Sequence, residues 1–206
     1  MRGRRAEAAR NDERLLSAAR EVLVAAPDAP MSQVAKRAGV GVATLYRRYP
    51  SKEALIAGVW LESVRDVEAE ARVALDRARL FPWGAFVGFM TGSVASGMGA
   101  LAAALAEAGA PAEGLVAAER SMNAAIDELL EVAQKAGAVR ADVGVQDVRL
   151  LFEQLHAVRA ADAAREATLR RRYLELVLQA LRAPGAAPLP GPAPAAAELK
   201  GRYDRR

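Results

Sequence analysis

The chain contains no cysteine and a single histidine, His156, among its 206 residues. The first absence excludes structural disulfides, thiolate nucleophiles and cysteine-held zinc or iron–sulfur centres. The second excludes multi-histidine metal sites and leaves a histidine-based triad without support. No metal, cofactor or catalytic site is therefore expected. Aromatic residues are also scarce, at 5%. The apolar content, 52%, comes from Leu, Val and above all Ala, which favours helix and all but excludes an all-β fold. A chain of 206 residues suits one domain or two small ones, of about 100 to 200 residues each.

No signal-length apolar stretch follows the basic start Met1-Arg2-Gly3-Arg4-Arg5 before Asn11-Asp12-Glu13-Arg14, so export is not indicated and a cytoplasmic location is expected. One segment needs a membrane test, because Leu80 to Ala106 carries no charge and exceeds the roughly 20 residues of a spanning helix. Its Gly, Ala and Ser content, Pro82, and the cluster Gly92, Gly97 and Gly99 argue instead for two buried helices broken near those glycines. No membrane partner is expected. Charge is unevenly placed: through Arg65 there are 12 Lys or Arg against 7 Asp or Glu, and thereafter 17 against 18. That is the distribution of a polyanion-binding head on a near-neutral body, although a solvated basic surface would read the same way.

Apolar periodicity predicts a first amphipathic helix over about Glu7 to Ala25, ended by Pro27-Asp28-Ala29-Pro30. A short helix follows, with Ser32 as its expected N-cap and Gly39 at its end. Another spans about Val42 to Tyr49. Pro50 stops it, and Ser51 is placed to cap a long helix toward Ala78. Beyond the Leu80 to Ala106 pair and the break at Ala108-Gly109-Ala110-Pro111, long helices are expected over Gly114 to Ala136, Val145 to Ala160 and Ala163 to Leu181. Composition predicts a disordered Pro/Ala-rich tail over 183–206. The fold class is all-α, with a three-helix head at 1–51 and a larger helical body at 52–182.

The head has the layout of a helix-turn-helix, two short helices about a glycine turn, the second with a polar and basic outer face. An α-helix fits the DNA major groove and can read base edges there while flanking donors hold phosphates. Thr44, Tyr46, Arg47, Arg48 and Lys52 are suitable donors. Short helix pairs with glycine turns also occur as plain packing. The ungapped run Val34-Ala35-Lys36-Arg37-Ala38-Gly39-Val40-Gly41-Val42-Ala43-Thr44-Leu45-Tyr46-Arg47-Arg48-Tyr49-Pro50-Ser51-Lys52-Glu53-Ala54-Leu55 resembles the signature of the TetR family of bacterial transcription regulators.

That resemblance implies an all-helical homodimer with an N-terminal DNA-binding domain and a C-terminal domain that binds a small-molecule effector and dimerises through its last two helices. It places Thr44 and Tyr46 at DNA-contacting positions, Tyr46 on a phosphate, and Lys52 at the start of the next helix. Arg48 stands where histidine is frequent, and Gly41 replaces a usual serine. Val42 and Ala43 can touch thymine methyl groups but cannot hydrogen-bond a base edge, so direct readout falls to Thr44, Arg47 or Arg48. Arg4 and Arg5, with Arg2, are candidates for a basic arm on the minor groove or backbone, against the simpler reading of a frayed terminus.

In the body, Trp60, Trp83, Phe86, Phe89, Met90, Met98, Met122 and Phe152, with Phe81, hold the bulky surface among small residues. These, with His156 and Gln154 as polar handles, are the ligand-site candidates by resemblance; the alternative is simple core. The ligand is expected to be largely apolar. His156 has no second ligand one turn away, and Glu128 and Glu131 read as a solvated face, as does Arg170-Arg171-Arg172. Alanines at 157, 160 and 161 would let helices approach closely across a dimer. The reading is a ligand-responsive repressor, homodimeric on a palindromic double-stranded operator. An activator or ligand-independent regulator shares the same head, and a helical carrier or enzyme is the distant alternative.

Overall fold

The computed structural model describes residues 2–99, 101, 114–183, 187–195 and 197–199, with side chains from Asp12 onward except at residue 13. Eight named helices and no strand are present among these residues: α1 (Arg2–Ala25), α2 (Met31–Ala38), α3 (Val42–Arg48), α4 (Lys52–Ala78), α5 (Pro82–Ala95), α6 (Leu115–Lys135), α7 (Val145–His156) and α8 (Ala163–Leu181). None is long and apolar enough to cross a membrane.

In α1 the residues Leu15, Leu16, Ala19, Val22 and Leu23 repeat every three or four positions, and all are buried. They face Met31, Val34 and Ala35 of α2, which belong to the same core. The expected cap at Ser32 is not used: α2 begins at Met31 with Pro30 before it and no side-chain cap. Proline already fixes the chain direction there and has no N–H to satisfy. Gly39 ends α2 at φ +68, and the Val40 N–H donates to the Ala35 carbonyl at 3.0 Å, a helix end that needs a residue at ease in the left-handed region. Ser51 caps α4 as expected, its hydroxyl accepting from the Ala54 N–H at 3.1 Å.

Along α4 the buried row Ile56, Val59, Trp60, Ser63, Val67, Ala71, Ala74 and Ala78 continues through all 27 residues. At about 1.5 Å per residue this helix spans some 40 Å. It packs on α6, α5 and α1, so head and body share one continuous core. The Arg20 guanidinium of α1 reaches the Asp66 carboxylate of α4 at 2.6 Å and ties the two together.

Pro82 occupies the first turn of α5, where a missing N–H costs nothing. The uncharged segment breaks at Gly97, φ +78, as the glycine cluster predicted, and residues 98, 99 and 101 are again helical; Ala102–Ala106 lie outside the described residues. A Cβ at Gly97 would come within 2.8 Å of the Val24 side chain of α1, so this glycine also lets the body approach the head.

A helix boundary is corrected as well. Helix α7 stops at His156, four residues early, because the Arg159 guanidinium folds back onto the His156 carbonyl and takes the place of the next turn. Ala157, Ala160 and Ala161 therefore lie on a connection and present no helix face. In the tail, residues 187–195 are tied to the loop before α7. The Arg140 guanidinium donates to the Ala187 carbonyl at 2.7 Å, and the Leu189 N–H donates to Asp142 at 2.8 Å. Ala183 donates to the Ala138 carbonyl at 3.1 Å, and Leu199 is buried. Composition counts apolar content and is blind to such backbone partners.

Candidate functional site

Helix α3 is held by one fully buried side chain, Leu45, worth about 1.5–3 kcal/mol of burial. Tyr49 follows at its end and packs over Gly58 of α4, where a Cβ would lie 2.8 Å from the ring. Everything else on α3 points outward: Val42, Ala43, Thr44, Tyr46, Arg47 and Arg48 are all exposed, Tyr46 by 47%. Lys52 is half-buried at the first turn of α4, where its charge adds to the unpaired N–H groups of the helix start. An exposed hydroxyl, a phenol and a guanidinium on one short protruding helix form a surface suited to a groove edge and its phosphates.

Arg48 differs from its neighbours. Its guanidinium is ion-paired with Asp12 of α1, and the Asp12 Oδ1 atom is buried with no hydrogen-bond partner among the described residues. Burial pulls the Arg48 guanidinium down, but hydrogen bonding and charge from Asp12, with Tyr49 beside them, outweigh it and raise it. The free-standing phosphate donor expected at Arg48 is thus partly neutralised at home. Arg37 of α2 is paired in the same way with Glu21 of α1. Arg4 and Arg5, expected in an arm, continue α1, whose helix runs from Arg2; their side chains lie outside the described residues.

The body candidates come together as core. Phe86, Met90 and Met122 are fully buried, and Trp60, Phe89, Met98 and Phe152 nearly so. Phe89 and Phe152 meet edge to face at 6.0 Å, and Trp83 lies 6.3 Å from Phe86 with the Arg182 guanidinium 5.2 Å over its ring. The Trp60 indole donates to Glu119 of α6 at 2.9 Å, a partner that no local pattern announces. His156 is buried, its ring nitrogen Nδ1 bonded to the Phe152 carbonyl at 3.1 Å. Burial pushes this imidazole below its ordinary value against that bond, and Arg170 and Arg159 push the same way. Gly99 makes the crowding possible, since a Cβ there would lie 2.5 Å from the Phe152 carbonyl oxygen. Gln154, offered as a handle, is exposed, and Arg170 is half-buried against Glu166. The polar atoms buried without partners are instead Ser93 Oγ and Asn123 Oδ1, among others in the described residues, and a lone Ser or Asn in an apolar helix gives no advance signal of that. An open groove of about 760 Å³ runs between α4 and α5, and Phe89 is shared by that groove and the candidate set.

Two family patterns match separate stretches of the chain. The pattern described as "Bacterial regulatory proteins, tetR family" matches residues 15–59, and "Transcriptional regulator SbtR-like, C-terminal domain" matches residues 81–183. A TetR transcription regulatory protein from Mycobacterium vanbaalenii is 34% identical, with 87% of this chain and 99% of that one covered and a TM-score of 0.62. A TetR transcriptional regulator from Streptomyces coelicolor is 25% identical, with 84% and 99% covered and a TM-score of 0.62. No curated protein matches the chain significantly.

Proposed function

The chain belongs to the TetR family of bacterial transcriptional regulators, and from that premise we propose that it is a repressor, released from a palindromic operator by a largely apolar small molecule. As a member it is a DNA-binding regulator and not an enzyme, with an N-terminal DNA-binding domain and a C-terminal ligand-binding domain. The observation that carries the operator reading is the outward face of α3, with Thr44, Tyr46 and Arg47 exposed on a helix fixed by Leu45. Thr44, with Arg47, reads base edges; Tyr46 and Lys52 hold phosphates; Val42 and Ala43 touch thymine methyl groups; Arg4 and Arg5 add charge beside the duplex. Arg48 joins them once released from Asp12.

A homodimer formed through α7 and α8 brings two copies of α3 to successive major grooves, about 34 Å apart. Support comes from α8, where Tyr173 and Leu176, one turn apart, are about half exposed. Large apolar groups left in water in this way mark a face that another surface covers. The protein acts on DNA in the cytoplasm. Effector binding in the body shifts α4, which runs unbroken from Lys52 under the head to Ala78, and so changes the spacing of the two α3 helices. Such a switch requires different ligand affinity in the two states. The core set from Trp60 to His156 supports an interior effector site only in a more open state, because these side chains are packed together here.

Selection of bound duplexes from a random DNA pool, then titration of the winner at two salt concentrations, tests this reading. An enriched inverted repeat, with log affinity falling steeply against log salt, is the expected result. No enrichment, with binding lost at moderate salt, would leave the head a mere basic surface. Operator position relative to the promoter separates repressor from activator.

A further inference from the structure

The groove between α4 and α5 has a construction that the packed interior lacks. Its floor is the α5 face of Gly84, Gly88 and Gly92, about one turn apart, so the backbone itself is accessible over about two turns. Its walls are apolar, and two of them, Val73 and Phe81, are 51% and 71% exposed, far more than side chains of their size need to be in a finished surface. A volume of about 760 Å³ falls within the range of small-molecule sites.

Charge tells what such a molecule must carry. The Glu70 carboxylate lies against Gly92, its Oε2 atom 3.1 Å from where a Cβ would stand, and it has no hydrogen bond or ion pair among the described residues. Burial and the neighbouring Asp66 push its carboxyl above the ordinary range, with Arg20 opposing them. Glu70 keeps one side open to solvent, and a carboxylate placed one turn from a second one is favoured in its charged form by a nearby cation. The other charge of the groove, Arg77, sits seven residues on, about 10 Å along the helix, and leaves the Glu70 end to a ligand.

We propose that the α4–α5 groove is a binding site for an amphiphilic organic cation, its ammonium on Glu70 and its apolar body along the glycine floor between Val73, Phe81 and Phe89. The same geometry gives the site a route to the head. Asp66, whose carboxylate crowds Glu70, is the residue that holds Arg20 of α1, so a cation in the groove changes the balance of charge at the α1–α4 tie. As an effector site the groove rests on the regulator reading above; as a binding site it does not.

Calorimetric titration of the full chain with decyltrimethylammonium, kept below micelle formation, tests the site, with decanoate as the anionic counterpart. The cation is expected to bind once per chain and more weakly as pH falls through the range in which Glu70 takes up a proton. E70Q weakens it by about fivefold, the worth of a partly exposed ion pair. G88L abolishes it by filling the floor; a Cβ at Gly88 meets nothing within 4 Å, so the fold has room for the change. R77Q, by removing a like charge, tightens it slightly. Thermal unfolding of each variant checks that the fold is kept, and E70Q alone decides the matter if G88L does not fold. Absence of saturable binding, binding that E70Q leaves unchanged, or decanoate binding lost in R77Q overturns the proposal. So does a change in self-association on G88L without cation binding, which makes the groove a contact between chains. The selected operator supplies the second readout: cation binding that leaves operator affinity unchanged upholds the site and overturns its role as effector site.

Discussion

Tyr46 carries its hydroxyl on the exposed side of α3 and makes no hydrogen bond within the described residues, so its removal costs the folded chain little. Y46F is expected to lower operator affinity by about tenfold, the worth of one hydrogen bond to a charged phosphate, with an unchanged melting temperature. Unchanged affinity in a binding titration would remove Tyr46 from the interface. Asp12 works in the opposite sense, because its carboxylate neutralises Arg48 while the protein is free. D12N is expected to raise affinity for non-operator DNA and to steepen the slope of log affinity against log salt by about one, as one more cation becomes available. A filter-binding series in increasing salt shows it. Of these two residues, the outward position of Tyr46 was legible from the helix pattern, while the pairing of Asp12 was not: 36 positions separate it from Arg48 in sequence, and only the tertiary fold of the head brings them together.

Among elements, α4 depends on the single hydroxyl of Ser51 for its start, and this helix bears both domains. S51A is expected to cost about 1 kcal/mol in urea unfolding, the usual loss for an N-cap. Where an element ends because of its own residues, as α2 ends at Gly39 and α5 at Gly97, the sequence shows it. Where it ends because a side chain folds back, as α7 ends under Arg159, period and composition carry on past the true boundary. The tail makes the same point: its prolines were visible, but Arg140 and Asp142, which hold its backbone, lie more than 40 positions earlier.

At the scale of the whole molecule, stability is expected to depend on pH through His156, the last residue of α7, which packs against the segment at Gly99 with Arg170 and Arg159 nearby. Its folded value is depressed below 6.5, so the unfolded chain takes up a proton before the folded one does. Stability is therefore greatest above about pH 6.5 and falls as pH drops through that value toward the lower folded one. The urea midpoint is expected to be lower at about pH 5.5 than at about pH 7.5, and H156Q to flatten the difference. Carboxylates held low by their partners, such as Glu68 beside Ser121 and Arg72, give up their contribution only at more acid pH. A midpoint insensitive to pH across this interval would show that His156 is not buried neutral.

The helical class, the order of the helices, the caps at Ser51 and Gly39, and the outward polar face of α3 can all be read from the unfolded chain. Each is a local property, written in the period of apolar residues and in the backbone freedom of particular side chains. Which charges are paired, how the bulky residues of the body pack into one another, and the position of Glu70 at an open glycine-floored groove emerge only once the helices have packed. These depend on helices far apart in the chain meeting at a given angle and distance, and hydrophobic packing, being non-directional, leaves little trace of its partners in sequence.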